Sequence, residues 1–167
     1  MYSEMRTVSV TKALAAASAY DAGDVLSESA TNGEGTAWTF AGIAKKDGGF
    51  GYITKAHVIS ETTALTPKLT LYLFNAAPTC ELDDHAANTA LLYADAAKYV
   101  GRIDFPAMTE NGTGASEAFV TPSSAGVLPL AFTCATNADD LVGVLVAIDT
   151  FTQGAAKGMR ITLTAEV

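Results

Sequence analysis

The chain is short of charge, of cysteine and of basic clusters, and each shortage narrows what it can be. Of its 167 residues only 17% are charged, ten basic against eighteen acidic, which gives a formal net charge of −8 and a pI near 4.5. The basic residues are scattered, and Lys45-Lys46 is the one adjacent pair. Neutralising a phosphate backbone needs clustered Lys and Arg, so nucleic acid is excluded as a partner. Two cysteines, Cys80 and Cys134, lie far apart with no CxxC. That spacing excludes a structural zinc site and predicts two small buried hydrophobes, with a disulfide left open. No charged-then-apolar start follows Met1, and no apolar run approaches the roughly 18 residues of a membrane span. The pattern therefore predicts a soluble chain with no membrane partner and no address. Histidine is scarce too, at two residues, His57 and His85.

What is present is apolar: 49% of the chain is hydrophobic. A domain of this length buries about 70% of its unfolded surface, so residues 1–167 are expected to form a single β-rich domain without staples. So little charge also suggests a subunit that hides surface against neighbours.

Period-2 patterning dominates, as half-buried strands require. Met159, Ile161, Leu163, Ala165 and Val167 alternate with Arg160, Thr162, Thr164 and Glu166. Leu141 to Ile148 is apolar throughout, which predicts a strand covered on both faces, either inside a sandwich or at a subunit contact. A loop or hairpin at Thr152-Gln153-Gly154 to Gly158 links the two. Trp38 to Ala44 and Phe50 to Ile59 flank Lys46-Asp47-Gly48-Gly49, where Asp-Gly suits a type I′ hairpin turn. Further strands are expected at Leu69 to Phe74 and Tyr99 to Phe105, with weaker ones at Thr7 to Val10, Glu117 to Thr121 and Leu128 to Cys134. Two stretches have helical composition: Lys12 to Tyr20, and Ala86 to Lys98 with Asp95 as a candidate N-cap. Many short strands between Gly, Pro, Asn and Asp predict an all-β fold, an antiparallel β-sandwich or jelly roll with at most short helical turns. Residues 1–11 are a candidate extended N-terminal arm.

The residues that could carry chemistry have plainer explanations. His57 alternates with Ile53 and Ile59, which points to a cross-strand or interface histidine. There is no GxSxG elbow, and neither cysteine sits in a nucleophile motif. Asp83-Asp84-His85 is the most metal-like cluster, but adjacent loop residues diverge and calcium needs about six oxygen ligands, so a solvated polar loop is expected. Asp21-Ala22-Gly23-Asp24 reads as turn chemistry. Asn32-Gly33-Glu34-Gly35 and Gly48-Gly49-Phe50-Gly51 lack the GK[ST] ending of a phosphate loop. Trp38, Phe40, Tyr52, Tyr72 and Phe74 would form a sugar-stacking platform if exposed and a sandwich core if buried, and burial is the expectation. No catalytic, cofactor-binding or metal-ligating residue is assigned, and no cofactor is expected.

Several segments resemble a family of small structural proteins of tailed bacteriophages, the capsid decoration or head auxiliary proteins. They are Pro67 to Asn75 (PKLTLYLFN), Ala77-Pro78, Asp84 to Asn88 and Asp95 to Phe105 (DAAKYVGRIDF). Tyr20 to Asp24 resembles an early turn of that family, Trp38 to Ile59 its central hairpin, and Ile161-Thr162-Leu163 its closing strand. The chain departs from the pattern at Asp84-His85, where the family often has Asp-Asn. The resemblance implies a non-enzymatic β-rich virion protein, made in the host cytoplasm and placed on the capsid surface. It also implies the major capsid protein as partner and a homo-oligomer, with a trimer favoured. A carbohydrate-binding or tail- or fibre-associated adhesion module is the alternative.

Overall fold

The computed structural model describes residues 3–15, 18–123, 127–154 and 156–167. The strands in chain order begin with β1 (Met5–Ala13), β2 (Ala19–Tyr20), β3 (Val25–Leu26), β4 (Trp38–Phe40), β5 (Phe50–Ser60), β6 (Leu69–Phe74) and β7 (Tyr99–Asp104). They continue with β8 (Thr109–Asn111), β9 (Ala115–Val120), β10 (Leu130–Thr133), β11 (Leu141–Ala147), β12 (Phe151–Thr152) and β13 (Gly158–Glu166). Between β6 and β7 lies one short 3-10 turn, Tyr93–Asp95. The fold is all-β, as expected: two antiparallel sheets packed face to face.

The first sheet runs β1-β13-β5-β9-β8, with β10 beside the start of β5. The second runs β3-β11-β6-β7, with β4 also on β11, and β12 pairs with β2 apart from both. Alternation dictates the packing of β13. Met159, Ile161, Leu163 and Ala165 are all fully buried and join Ile53, Ala56 and Val58 in the core between the sheets. Each of the larger of these side chains contributes about 1.5–3 kcal/mol on leaving water.

β11 is buried at every position. Leu141, Leu145 and Ala147 belong to the core between the sheets. Val142, Val144 and Val146 belong to a second cluster with Val25, Phe74 and Cys80, covered by Leu82, Leu92 and Tyr99. The long connection from β6 to β7 thus folds over the outer face of the second sheet. That cover is why β11 reads as one unbroken apolar run, and it makes β11 a core strand, not a subunit contact.

Four expectations are corrected. Trp38 to Ala44 and Phe50 to Ile59 do not form a hairpin, because β4 pairs with β11 while β5 pairs with β13, β9 and β10. A turn does form at Lys46 to Gly49, with Gly48 at φ 66°, but it carries the chain from one sheet to the other. Likewise, of the loop or hairpin expected between β11 and β13, the hairpin is excluded, because the two lie in different sheets with β12 between them. The Ala-rich stretch is strand at Lys12-Ala13 and again at Ala19-Tyr20, with residues 16 and 17 outside the described range. Asp95 ends its 3-10 turn instead of capping a helix.

The segment considered as an arm is, from Met5 onward, the edge strand of the first sheet, paired with β13 from Met5↔Glu166 to Ala13↔Gly158. Two cations on its inner face reach across to the second layer. Arg6 donates to the carbonyls of Gly42 and Ala44 at 3.1 and 2.9 Å. Lys12, buried, donates to the Thr36 carbonyl and hydroxyl at 2.6 and 2.7 Å and pairs with the Glu28 carboxylate. Inward-pointing charges on an edge strand oppose edge-to-edge association.

Candidate functional site

Two places stand out, one apolar and exposed, the other polar and buried. The first lies where β5 enters the first sheet. Gly51 is buried there, and a Cβ on it would collide with the Glu166 carbonyl oxygen, so only glycine lets the strands approach so closely. The pleat then turns Phe50 and Tyr52 outward, with 73% and 53% of their surface exposed. Across the outer face, Met5, Glu166, Tyr52 and Ala131 form one cross-strand row. Beside it runs a groove of about 530 Å³ lined by Lys45, Lys46, Phe50, Tyr52 and Val167. Lys45 pairs with Glu4 at 3.3 Å, and that contact together with Arg6 holds the Glu4 carboxyl below its usual range. The chain's one adjacent basic pair therefore flanks two of its most exposed strand aromatics.

The second place is built around Asp84, which was expected in a solvated loop and is instead almost fully buried. Its carboxylate accepts the Ser27 amide at 2.7 Å and the Tyr20 hydroxyl at 2.9 Å. A third contact, 2.6 Å, runs to Nδ1 of His85. The ring of His85 stacks on Tyr20 with centroids 3.9 Å apart, and Tyr20 stacks in turn on Phe151 at 4.9 Å. On the far side of the imidazole, Nε2 lies 3.0 Å from the exposed Ser18 hydroxyl. Burial and the adjacent Asp84 charge push the Tyr20 hydroxyl well above its ordinary pKa, so it serves here as a donor.

The neighbouring acids also face inward. Asp83 accepts the amides of Gly33 and Gly35 at 2.7 and 2.8 Å, which hold its carboxyl below the usual range. Burial opposes the charge of Asp95, yet the Thr79 amide and hydroxyl and Lys98 keep its pKa low. Each carboxylate ties the β6–β7 connection to a neighbouring segment or to itself. The polar-loop expectation is thus overturned because these carboxylates are buried, with backbone amides and side-chain donors of the protein around them. Among the described residues no group of three or more His, Cys, Asp and Glu is arranged to hold a metal ion.

His57 does not share a face with Ile53. Ile53 pairs with Ala165 and Lys55 with Thr164, so Thr54 is an extra residue that swaps the parity of β5. His57 faces outward and meets Glu117 at 2.6 Å, whose other oxygen accepts Asn111 at 2.5 Å. Those contacts, His57 first, hold Glu117 below the usual carboxylate range. The five aromatics divide: Trp38, Phe40 and Phe74 are core, Tyr72 is half-buried and Tyr52 is exposed. Both cysteines are free and buried, in different clusters, and burial pushes each thiol up to about 11. Asp21 and Asp24 close their turn on each other's backbone, with Gly23 at φ 96°.

Sequence reasoning missed Ser18, Ser27 and Phe50. Ser18 stood in a stretch of helical composition, and nothing local signals that it meets residue 85. No family model, no curated protein and no solved structure matches this chain.

Proposed function

We propose that this chain is a non-enzymatic virion structural protein, a capsid decoration protein that binds the outer surface of a tailed-phage head as a homo-oligomer, with a trimer favoured. The observation that carries this reading is the outward row of Phe50 and Tyr52 beside Lys45 and Lys46, on a sandwich whose other strand aromatics, Phe119 apart, are largely enclosed. Exposed apolar patches mark interaction surfaces, and tyrosine is among the residues enriched at protein-binding hot spots. The segment resemblance to phage head proteins points to the major capsid protein as the surface met. Binding across capsomer junctions adds to shell stability by mass action, and several linked copies multiply weak contacts.

The test is re-addition of purified protein to heads that lack it. Phe50→Ser with Tyr52→Ser is expected to weaken head binding by about 10-fold or more, at an unchanged circular dichroism spectrum, as loss of hot-spot aromatics does. Equal binding by the double variant would remove this face from the reading. A carbohydrate-binding adhesion module is the second reading. It is favoured by Phe119, 55% exposed and paired in register with His57 next to Glu117 and Asn111, an aromatic beside polar groups that sugars use.

A further inference from the structure

The array at Asp84 has a use that the structural role does not need. Asp84 is anchored by Ser27 and Tyr20 and lies 2.6 Å from Nδ1 of His85, an arrangement in which a carboxylate accepts the Nδ1 proton and directs the ring's lone pair to Nε2. That lone pair points to the Ser18 hydroxyl at 3.0 Å. Hydroxyl, base and orienting carboxylate are the three parts of an activated serine nucleophile, and such arrays are recognised by geometry and not by chain order. The parts are also preorganised. The Tyr20 ring holds the imidazole plane, and the Asp84 side chain is wholly shielded from solvent. His85 sits at φ 62°, a left-handed conformation that a non-glycine residue adopts at a cost and that is concentrated at functional sites. Ser18 itself is exposed, so an electrophile reaches it without any rearrangement.

We propose that Ser18 is a covalent modification site, a base-activated hydroxyl that accepts an acyl or phosphonyl group from an activated donor. With a fluorophosphonate the step balances as follows. The Oγ–P bond forms as the P–F bond breaks, fluoride leaves with the electron pair, and the Ser18 proton passes to Nε2 of His85. The products are phosphonylated Ser18 and the elements of HF. The site is an acceptor and not a turnover catalyst, so it stands beside the proposed virion role and does not depend on it.

The experiment treats the whole folded chain with a fluorophosphonate probe and maps adducts by intact-mass and peptide mass spectrometry. Ser18 is expected to label at least about 100-fold faster than the exposed Ser123, the acceleration a positioned base supplies. Ser18→Ala removes the adduct. His85→Asn reduces labelling at Ser18 to the Ser123 rate, and asparagine tolerates the left-handed backbone, so the fold is kept. Circular dichroism and melting checks on both variants separate lost reactivity from lost structure. Labelling of Ser18 no faster than Ser123, or undiminished labelling in folded His85→Asn, overturns the proposal.

Discussion

The hydroxyl of Tyr20 donates to the carboxylate of Asp84 at 2.9 Å, joining two residues 64 positions apart. It pins β2 to the cover over the second sheet. Removing it leaves a buried carboxylate short of one donor.

Tyr20→Phe keeps the ring stacked between His85 and Phe151 and deletes only that donor. A hydrogen bond to a charged group is worth about 1.5–3 kcal/mol, so unfolding free energy in urea is expected to drop by that amount. A change below about 0.5 kcal/mol would show that Asp84 is satisfied without Tyr20.

Acid sensitivity follows from Glu28. Burial raises its pKa, but hydrogen bonds from Lys12, Thr36 and Ser27 outweigh that and hold it at about 2, against 4.5 ordinarily. A depressed carboxyl stabilises the fold above the unfolded value and loses that contribution as pH falls toward the folded one. Urea midpoints should therefore decline between about pH 4.5 and 2, and Glu28→Gln should flatten part of the decline. Asp83, Asp95, Glu117 and Glu4, whose pKa values are also lowered, contribute to the remainder. An identical pH profile for wild type and Glu28→Gln would contradict the assignment.

Gly143 on β11 tests the packing of side chains on the core face of the second sheet. A Cβ there would sit 2.7 Å from Leu71 Cδ1 and 3.3 Å from Phe40 Cε2, whereas one on Gly114 would meet nothing within 4 Å. Gly143→Val should cost about 1–3 kcal/mol through overpacking, with Gly114→Ala close to neutral. Equal effects at both positions would mean that Leu71 and Phe40 move aside at little cost.

The cysteines give a probe that needs no substitution. Buried, and with thiols raised to about 11, Cys80 and Cys134 should be inert to a thiol reagent at neutral pH in the native state. Both should react once the chain is unfolded. Rapid reaction of either thiol in native protein would place it at a surface or in a readily opened segment.

Where neighbours along the chain decide the structure, the sequence was readable: alternation located β13, β6 and β7, and an unbroken apolar run located β11. Pairing was less legible. Asp47-Gly48 makes its turn, but turn chemistry is local and does not say which sheet receives the next strand. The extra residue Thr54 reverses the parity on which the face of His57 was judged. Asp83 and Asp84 read as solvent-facing because their solvation by Gly33, Gly35 and Ser27 is long-range in sequence. Of the candidate site, Lys45-Lys46 and Asp84-His85 were visible as patterns, while Phe50 and Ser18 acquire meaning only from the fold.

The central claim, a place in the virion, is tested most directly by the copy number of this protein in purified particles, measured by quantitative mass spectrometry against the major capsid protein. The account predicts a number comparable to the capsid subunit, as lattice-wide decoration requires. Complete absence from the particles would contradict it, and a handful of copies would contradict the decoration role by placing the protein at a portal, tail or fibre.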